Sequence, residues 1–240
     1  MVSVRSYLAN RRLAALTALW RPWVWVILCG SVLGAQGADT NDVLGRWLAA
    51  QTNIGAWTAD VVQTRSLNVL AEPLMANGKV WVNGPTEFRW ELDPPTPTLV
   101  LRQPDQLLVI YPRLKRVEKY ALNSVPQGTV KDALALLDAS FPRDRATVES
   151  RFRLVSALES NSVEIVTLQP KSASARKLIS EIQIGLRTND YSMASTEMRF
   201  ADGSVLRNDF TNVAVRQTIP PERFKFQTPP DFTTVEPLHP

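Results

Sequence analysis

Few side chains in this sequence could carry out chemistry. The carboxylates Glu87, Glu91 and Asp93 lie close together in the chain, and paired carboxylates can act as general acid and base. Glu91 and Asp93 share one face of an extended strand, but they stand beside a proline-rich turn, which predicts solvent exposure. The one histidine, His239, is the penultimate residue, and the one cysteine is Cys29. We therefore expect no enzyme activity, no metal and no cofactor.

Residues 1–37 have the features of a cleaved signal peptide. They contain four arginines and no acidic residue, and an apolar run extends from Trp23 to Ala35. This run of about 13 residues is shorter than the roughly 20 that cross a bilayer. The small residues Ala35 and Gly37 stand two apart, as signal peptidase prefers. We therefore expect an exported protein with one domain over residues 38–240.

Charge is balanced after the predicted signal peptide. Because four of the 27 basic residues precede residue 38, the remaining chain has 23 basic and 23 acidic residues. The basic isoelectric point of the precursor is therefore no sign of nucleic-acid binding. The remaining chain has no cysteine, and a domain of about 200 residues buries a large core without disulfides.

Most of the chain after residue 57 has the pattern of short strands joined by tight turns. About eleven strands are predicted, separated by Pro, Gly, Asn or Asp. An open sheet of that many strands leaves long edges, so we predict a barrel that closes or nearly closes around a hydrophobic cavity. The predicted strands are residues 57–70, 78–83, 87–92, 98–102, 106–111, 115–122, 151–158, 163–168, 178–186, 191–200 and 205–215.

Two amphipathic helices, over residues 40–52 and 130–139, interrupt this pattern. We expect them to cover the cavity as a lid. The predicted lid residues are Leu44, Trp47 and Leu48 in the first helix and Leu134 and Leu137 in the second.

Alternation along the strands indicates which side chains line the cavity. Phe88 and Trp90 fall on one face of their strand, and Arg89 and Glu91 fall on the other. The next two strands are apolar on both sides, as expected where helices cover one face and the other faces a hydrophobic interior. An ordinary core would explain any single one of these residues as well. The predicted cavity residues are Phe88, Trp90, Leu92, Leu99, Leu101, Leu108 and Ile110.

Three segments resemble the periplasmic outer-membrane lipoprotein carrier family, LolA. Residues 78–92 read GKVWVNGPTEFRWEL, and Pro95 and the segment LLVIYP at 107–112 follow. Near the C-terminus, residues 223–235 read RFKFQTPPDFTTV, which is similar to the family's Phe-x-Phe-x-Pro-Pro-x-x-Val pattern. The resemblance implies a half-open antiparallel β-barrel of about eleven strands with a helical lid.

The resemblance also implies a function. Such carriers receive acylated lipoproteins from an inner-membrane transporter, hide the acyl chains while crossing the periplasm, and release them to an outer-membrane acceptor. We accordingly expect a periplasmic monomer with Phe88 and Trp90 at the cavity. One position departs from the family: Gly84 precedes the proline where the family often has an arginine that hydrogen-bonds to the lid.

Two other functions are compatible with these patterns. A LolA-like protein can carry another lipid or acyl conjugate in an envelope export system, and loss of the lid arginine fits such a member. A related half-barrel also serves as the sensing domain of periplasmic regulators that bind an anti-sigma factor.

Overall fold

The computed structural model describes residues 40–122 and 144–237. These residues form a long helix α1 (Thr40–Ile54), two short helices α2 (Arg145–Arg151) and α3 (Ala173–Arg176), and twelve strands. The predicted signal peptide and the predicted second lid helix, with Leu134 and Leu137, lie outside the described residues.

The twelve strands occupy most of the described chain, with short turns between neighbours. They are β1 (Trp57–Ser66), β2 (Leu74–Asn83), β3 (Glu87–Leu92), β4 (Thr98–Arg102), β5 (Gln106–Tyr111), β6 (Arg116–Ala121), β7 (Phe152–Ser160), β8 (Val163–Pro170), β9 (Ile179–Arg187), β10 (Met193–Phe200), β11 (Val205–Ala214) and β12 (Thr233–Val235).

All the strands belong to one sheet, in the order β12-β6-β5-β4-β3-β2-β1-β11-β10-β9-β8-β7. Neighbours are antiparallel except β12, which pairs in parallel with β6. Within the described residues, the edge strands β7 and β12 do not pair with each other, so the sheet is not closed. The predicted fold class, a mainly β half-open barrel, is confirmed, with one strand more than predicted. A segment as short as β12 has too few residues to show an alternating pattern.

The first hairpin differs from its prediction. Strand β1 ends at Ser66 rather than at residue 70, and β2 begins at Leu74 rather than at residue 78. The chain turns between them, where the Leu70 N–H donates to the Leu67 carbonyl at 3.0 Å. Apolar residues of this loop continue the strand pattern in the sequence, although the loop itself is not paired. The hairpin loop therefore carries large apolar side chains.

Helix α1 follows its predicted amphipathic stripe. Val43 and Trp47 are fully buried, Leu44 is 1% exposed, and Leu48 packs against them partly buried. The helix runs two residues past its predicted end and stops before Gly55, whose φ of +61° suits a left-handed helix terminus. No helix among the described residues is long and apolar enough to cross a membrane.

The sheet has apolar residues on both faces. One face packs against α1, and we call it the α1 face. The opposite face is covered by the chain that leads from β11 to β12, and its cluster centres on Phe224, which is 2% exposed. The residues in this second cluster are Leu99, Leu101, Leu108, Ile110, Val117 and Phe224, with Trp81, Ile219, Phe226 and Phe232 packed around them.

Candidate functional site

Strand β3 directs its aromatic side chains to the α1 face. Phe88 and Trp90 stand opposite Val82 and Val80 of β2, and all four belong to the cluster on this face. The Trp90 ring meets the Phe210 ring edge-on, with centroids 5.6 Å apart and planes at 74°. Edge-to-face pairs of this kind hold rings rigidly in place. Phe88 and Phe210 are buried, at 6% and 2% exposure, and Trp90 is the partly exposed ring of the three.

Coverage of the α1 face is uneven. Over β8 and β9 the apolar side chains are sealed: Val166 and Ile184 have no exposed surface. Over β3, β4 and β5, by contrast, Trp90, Val100 and Val109 are only partly buried. The contacts of α1 explain this difference, because the helix packs against β7 at the far edge of the sheet. The half-covered strip over β3–β6 is therefore the candidate binding surface, and it also includes Leu92, Tyr120 and Leu122.

Polar groups border this strip. The Tyr120 hydroxyl donates to the Glu118 carboxylate at 2.9 Å. Burial raises the pKa of Tyr120 to about 12, and the hydrogen bond to Glu118 acts in the same direction. The hydroxyl is thus neutral at physiological pH. Arg102, 6% exposed, stands between Phe88 and Leu107 in the register, which makes it a buried cation on an apolar face.

The other four predicted cavity residues are on the opposite face. Leu99 pairs with Glu91 and Leu101 pairs with Arg89, which places both on the side of β3 away from Phe88. In β5, Leu108 pairs with Leu101 and Ile110 pairs with Leu99, so both lie on the same side of the sheet as their partners. The structure therefore does not bring these four together with Phe88, Trp90 and Leu92. Alternation along each strand places neighbouring residues on opposite faces, but only the register between β3, β4 and β5 shows which residues share a face with Phe88.

Side chains of the sheet hold the C-terminal segment on this opposite face. Arg89 Nη1 donates to the carbonyl of Arg223 at 3.1 Å, and Gln103 Nε2 donates to that of Phe224 at 2.8 Å. The Arg223 guanidinium lies 4.8 Å from the centre of the Trp81 ring. These contacts satisfy backbone carbonyls of a segment that has no strand partner there. Leu99, Leu101, Leu108 and Ile110 are therefore core residues under a covering segment.

A polar contact that sequence reasoning missed attaches α1 to the sheet. Arg46 Nε donates to the Tyr191 hydroxyl at 2.6 Å, and Arg46 Nη2 lies 3.5 Å from Glu164 Oε1. The Glu164 side chain is only 5% exposed, so Arg46 is a cationic partner for a buried carboxylate. A charged residue beside the apolar stripe of α1 was the available signal. Its partners lie more than 100 residues away and have no sequence signal.

The position of the family arginine is a tight turn in this protein. Gly84 connects β2 to β3 with φ at +64°, and a Cβ placed there would have no atom within 4 Å. Glycine adopts this left-handed conformation without strain, whereas an arginine would be strained. Because glycine carries no side chain, this turn lacks the arginine contact that the family resemblance implies.

Within residues 40–122 and 144–237, no cluster of three His, Cys, Asp or Glu side chains could hold a metal ion. Two of the candidate carboxylates of the sequence, Glu91 and Asp93, line one open surface pocket together with Asp60 and Lys79. Glu91 forms an ion pair with Arg89, and Asp93 is exposed at the end of β3. The arrangement on the α1 face is suited to bind apolar chains.

Comparison with known proteins agrees with this geometry. The family model for outer membrane lipoprotein carrier protein LolA matches residues 52–227. A search of curated proteins found no match.

Solved structures that match this chain share little sequence with it. An uncharacterized conserved protein from Thermus thermophilus is 11% identical with a TM-score of 0.49, covering 83% of this chain and 99% of that one. The LolA superfamily protein NE2245 from Nitrosomonas europaea is 11% identical with a TM-score of 0.42, covering 79% and 99%. A chain of the Pseudomonas aeruginosa MucA/MucB complex is 14% identical with a TM-score of 0.43, and the match covers 79% of this chain and 62% of that one.

The family assignment rests on the family model, which spans the chain from the C-terminal turn of α1 to the segment that covers the opposite face. The chain belongs to the LolA family of outer membrane lipoprotein carrier proteins.

Proposed function

We propose that this protein is a periplasmic carrier, not an enzyme, that shields the acyl chains of lipoproteins and transfers them from the inner to the outer membrane. The observation that carries the proposal is the half-covered apolar strip on the α1 face of a LolA-family chain. An inner-membrane transporter would load the protein, and an outer-membrane acceptor would unload it. The protein acts as a monomer and needs no cofactor.

The strip has the chemistry that acyl chains require. Each methylene group removed from water contributes about 0.8 kcal/mol, so a single long chain supplies ample binding free energy. Trp90 offers a large rigid ring, Phe88 lies buried in the same cluster, and Val100 and Val109 extend the surface across two further strands. Partial exposure of the strip matters for release, because cargo in a fully sealed pocket would be trapped. We leave Leu99, Leu101, Leu108 and Ile110 out of the proposed site.

Helix α1 supplies the lid. Leu44, Trp47 and Leu48 form its apolar stripe, and the contact of Arg46 with Glu164 and Tyr191 holds the helix to the sheet. In this proposal the Arg46 contact takes the part that the family arginine plays before the proline. Its position on the lid itself, rather than on the β2–β3 turn, explains how Gly84 is tolerated.

The second candidate is a LolA-like carrier of another lipid or acyl conjugate. The departure at Gly84 favours it, because glycine supplies no cationic side chain for a lid contact at this turn. Both candidates use the same strip, so the identity of the cargo separates them.

The test is to purify the protein from the periplasm, extract it with organic solvent, and identify bound lipids and co-purifying proteins by mass spectrometry. Trp90→Glu places a charge on the proposed strip, and Trp81→Glu makes the same change on the neighbouring strand but the opposite face. We expect triacylated lipoproteins with the wild type and with Trp81→Glu, and their loss with Trp90→Glu.

Free lipid or an acyl conjugate that is lost in the same variant would favour the second candidate. An empty wild-type protein, or equal loss in both variants, would contradict both carrier functions. Circular dichroism spectra and thermal unfolding of the two variants control for folding.

A further inference from the structure

Large apolar side chains are exposed mainly at one end of the sheet. Successive antiparallel strands bring the β1–β2, β3–β4, β5–β6, β8–β9 and β10–β11 connections to the same end, which we call the hairpin end. Among the described residues, five of the seven exposed large apolar side chains belong to it. They are Val69 at 87% exposure, Leu70 at 43%, Leu74 at 52%, Met75 at 62% and Leu114 at 69%.

Four of these residues form an apolar tip, which we define as residues 67–75. The tip projects beyond its neighbour β3, because the last register pair of β2 with β3 is Gly78 with Leu92. Strand β2 begins at Leu74, so three residues extend past Asn77, whose carbonyl accepts the Asp93 N–H. At about 3.3 Å per residue the projection is about 10 Å. Exposed apolar surface that projects in this way is typical of interaction sites.

The apolar tip is held at its base. The Asn68 side chain donates to the carbonyl of Asp202 in the β10–β11 connection. The Ala201 N–H in turn donates to the Leu178 carbonyl in the β8–β9 connection at 2.9 Å. Hydrogen bonds thereby link three connections of the hairpin end, from the tip through β10–β11 to β8–β9.

Charge distinguishes the two ends of the sheet. The five connections of the hairpin end contain five basic residues and three acidic ones. At the opposite end, the connections at residues 84–86, 103–105, 161–162 and 188–192 contain two acidic residues and no basic one, and the exposed Arg216 after β11 adds one basic residue. The basic residues of the hairpin end are Arg113, Lys115, Lys171, Arg176 and Lys177, all exposed, and Lys115 is paired with Asp231.

We propose that the hairpin end docks on an anionic phospholipid surface, with Val69, Leu70 and Met75 of the apolar tip inserted among the lipids. Apolar side chains on a surface that also carries basic residues are the combination that binds membrane interfaces, because buried apolar area and attraction to anionic headgroups add. The basic residues lie in the β5–β6 and β8–β9 connections on either side of the tip, and the three acidic residues lie in the tip and in the two connections next to it. A partner protein or a second copy would also cover an apolar tip, but the excess of basic residues at this end favours an anionic surface. The inference needs no cargo and so stands apart from the proposed carrier function.

The experiment measures sedimentation of the purified protein with vesicles of phosphatidylcholine containing phosphatidylglycerol, and with vesicles of phosphatidylcholine alone. We compare wild type with Val69→Ser/Met75→Ser at the apolar tip and with Val155→Ser/Leu158→Ser on β7, where the side chains are exposed to a similar degree. All proteins are prepared in the same way, so any contribution of residues 1–39 to vesicle binding is the same in wild type and variants. We expect binding to the anionic vesicles to weaken at least about tenfold in the tip variant and less than about twofold in the β7 variant.

Lys171→Gln/Lys177→Gln tests the electrostatic part. Each cation near an anionic surface contributes about fivefold in affinity, so this variant should lose more than about tenfold on anionic vesicles and little on neutral ones. A polarity-sensitive fluorophore on Val69→Cys should shift to the blue with anionic vesicles, whereas the same label on Leu158→Cys should not.

Failure of the wild type to bind anionic vesicles, or equal loss in the tip and β7 variants, would overturn the proposal. So would self-association of the wild type that the tip variant loses, because it would identify a second copy as the occupant. None of these outcomes bears on lipid retained on the α1 face, so the carrier function and the docking surface are tested separately.

Discussion

Two glycines in the family-like segment 78–92 have different physical roles. Gly84 supplies a left-handed turn between β2 and β3. Gly78 instead permits close approach of strands, since a Cβ there would lie 1.9 Å from the Glu91 carbonyl oxygen. That contact is with backbone, so no side-chain movement relieves it. The approach of β3 to β2 at Gly78 fixes where Trp90 stands, which makes this glycine a determinant of the candidate site.

Gly78→Ala should therefore destabilise the protein by about 1–3 kcal/mol, the usual result of forcing an extra methyl group into a packed contact. Gly45→Ala is the matched control, because the nearest atom to its new Cβ is Arg145 Nη1 at 3.9 Å. Alanine favours a helix over glycine by about 1 kcal/mol, so this variant should be more stable than wild type. Urea denaturation measures both; equal stability of Gly78→Ala and wild type would refute the close approach.

At the scale of elements, α1 is attached to the sheet by two kinds of contact. Val43, Leu44 and Trp47 bury an apolar stripe, and Arg46 reaches Glu164 on β8 and Tyr191 after β9. The apolar contacts are adaptable, whereas the ion pair has one geometry. Glu164 is buried, whereas the Arg46 side chain is 40% exposed. Breaking the ion pair therefore destabilises the protein mainly because a buried carboxylate loses its cationic partner.

Arg46→Met should lower the free energy of unfolding by about 1–3 kcal/mol, because a buried carboxylate loses a partner. The double variant Arg46→Met/Glu164→Leu should regain most of that loss, since it removes the charge as well as its partner. Hydrogen exchange should show faster opening of α1 in the single variant than in the double one. A double variant no more stable than the single one would show that the ion pair does not hold the helix.

At the scale of the whole molecule, the sheet separates two apolar clusters. The α1 face carries the half-covered strip, and the opposite face is closed by the segment between β11 and β12. In the proposed function, the α1 face binds the cargo and the opposite face gives structural support. Strand β12, paired with β6, anchors the end of the covering segment.

Phe224→Ala should thus lower stability by about 3–5 kcal/mol, as for other buried phenylalanines, yet leave lipid bound to the α1 face. Chemical denaturation gives the first quantity, and mass spectrometry of extracted lipid below the unfolding transition gives the second. Loss of lipid from protein that is still folded would show that the two faces are not independent.

The sequence by itself determined the eleven longer strands to within a few residues, helix α1 with its buried stripe, and the alternation of Phe88 and Trp90 against Arg89 and Glu91. These features follow from local periodicity, which depends on neighbours in the chain. The tertiary structure alone decided which face each apolar set occupies. By residue type alone, a cavity lining could include Leu99, Leu101, Leu108 and Ile110. Only the pairing of β4 with β3 places them under Phe224. The Arg46 contact and the parallel strand β12 likewise join residues more than 100 positions apart, where periodicity carries no information.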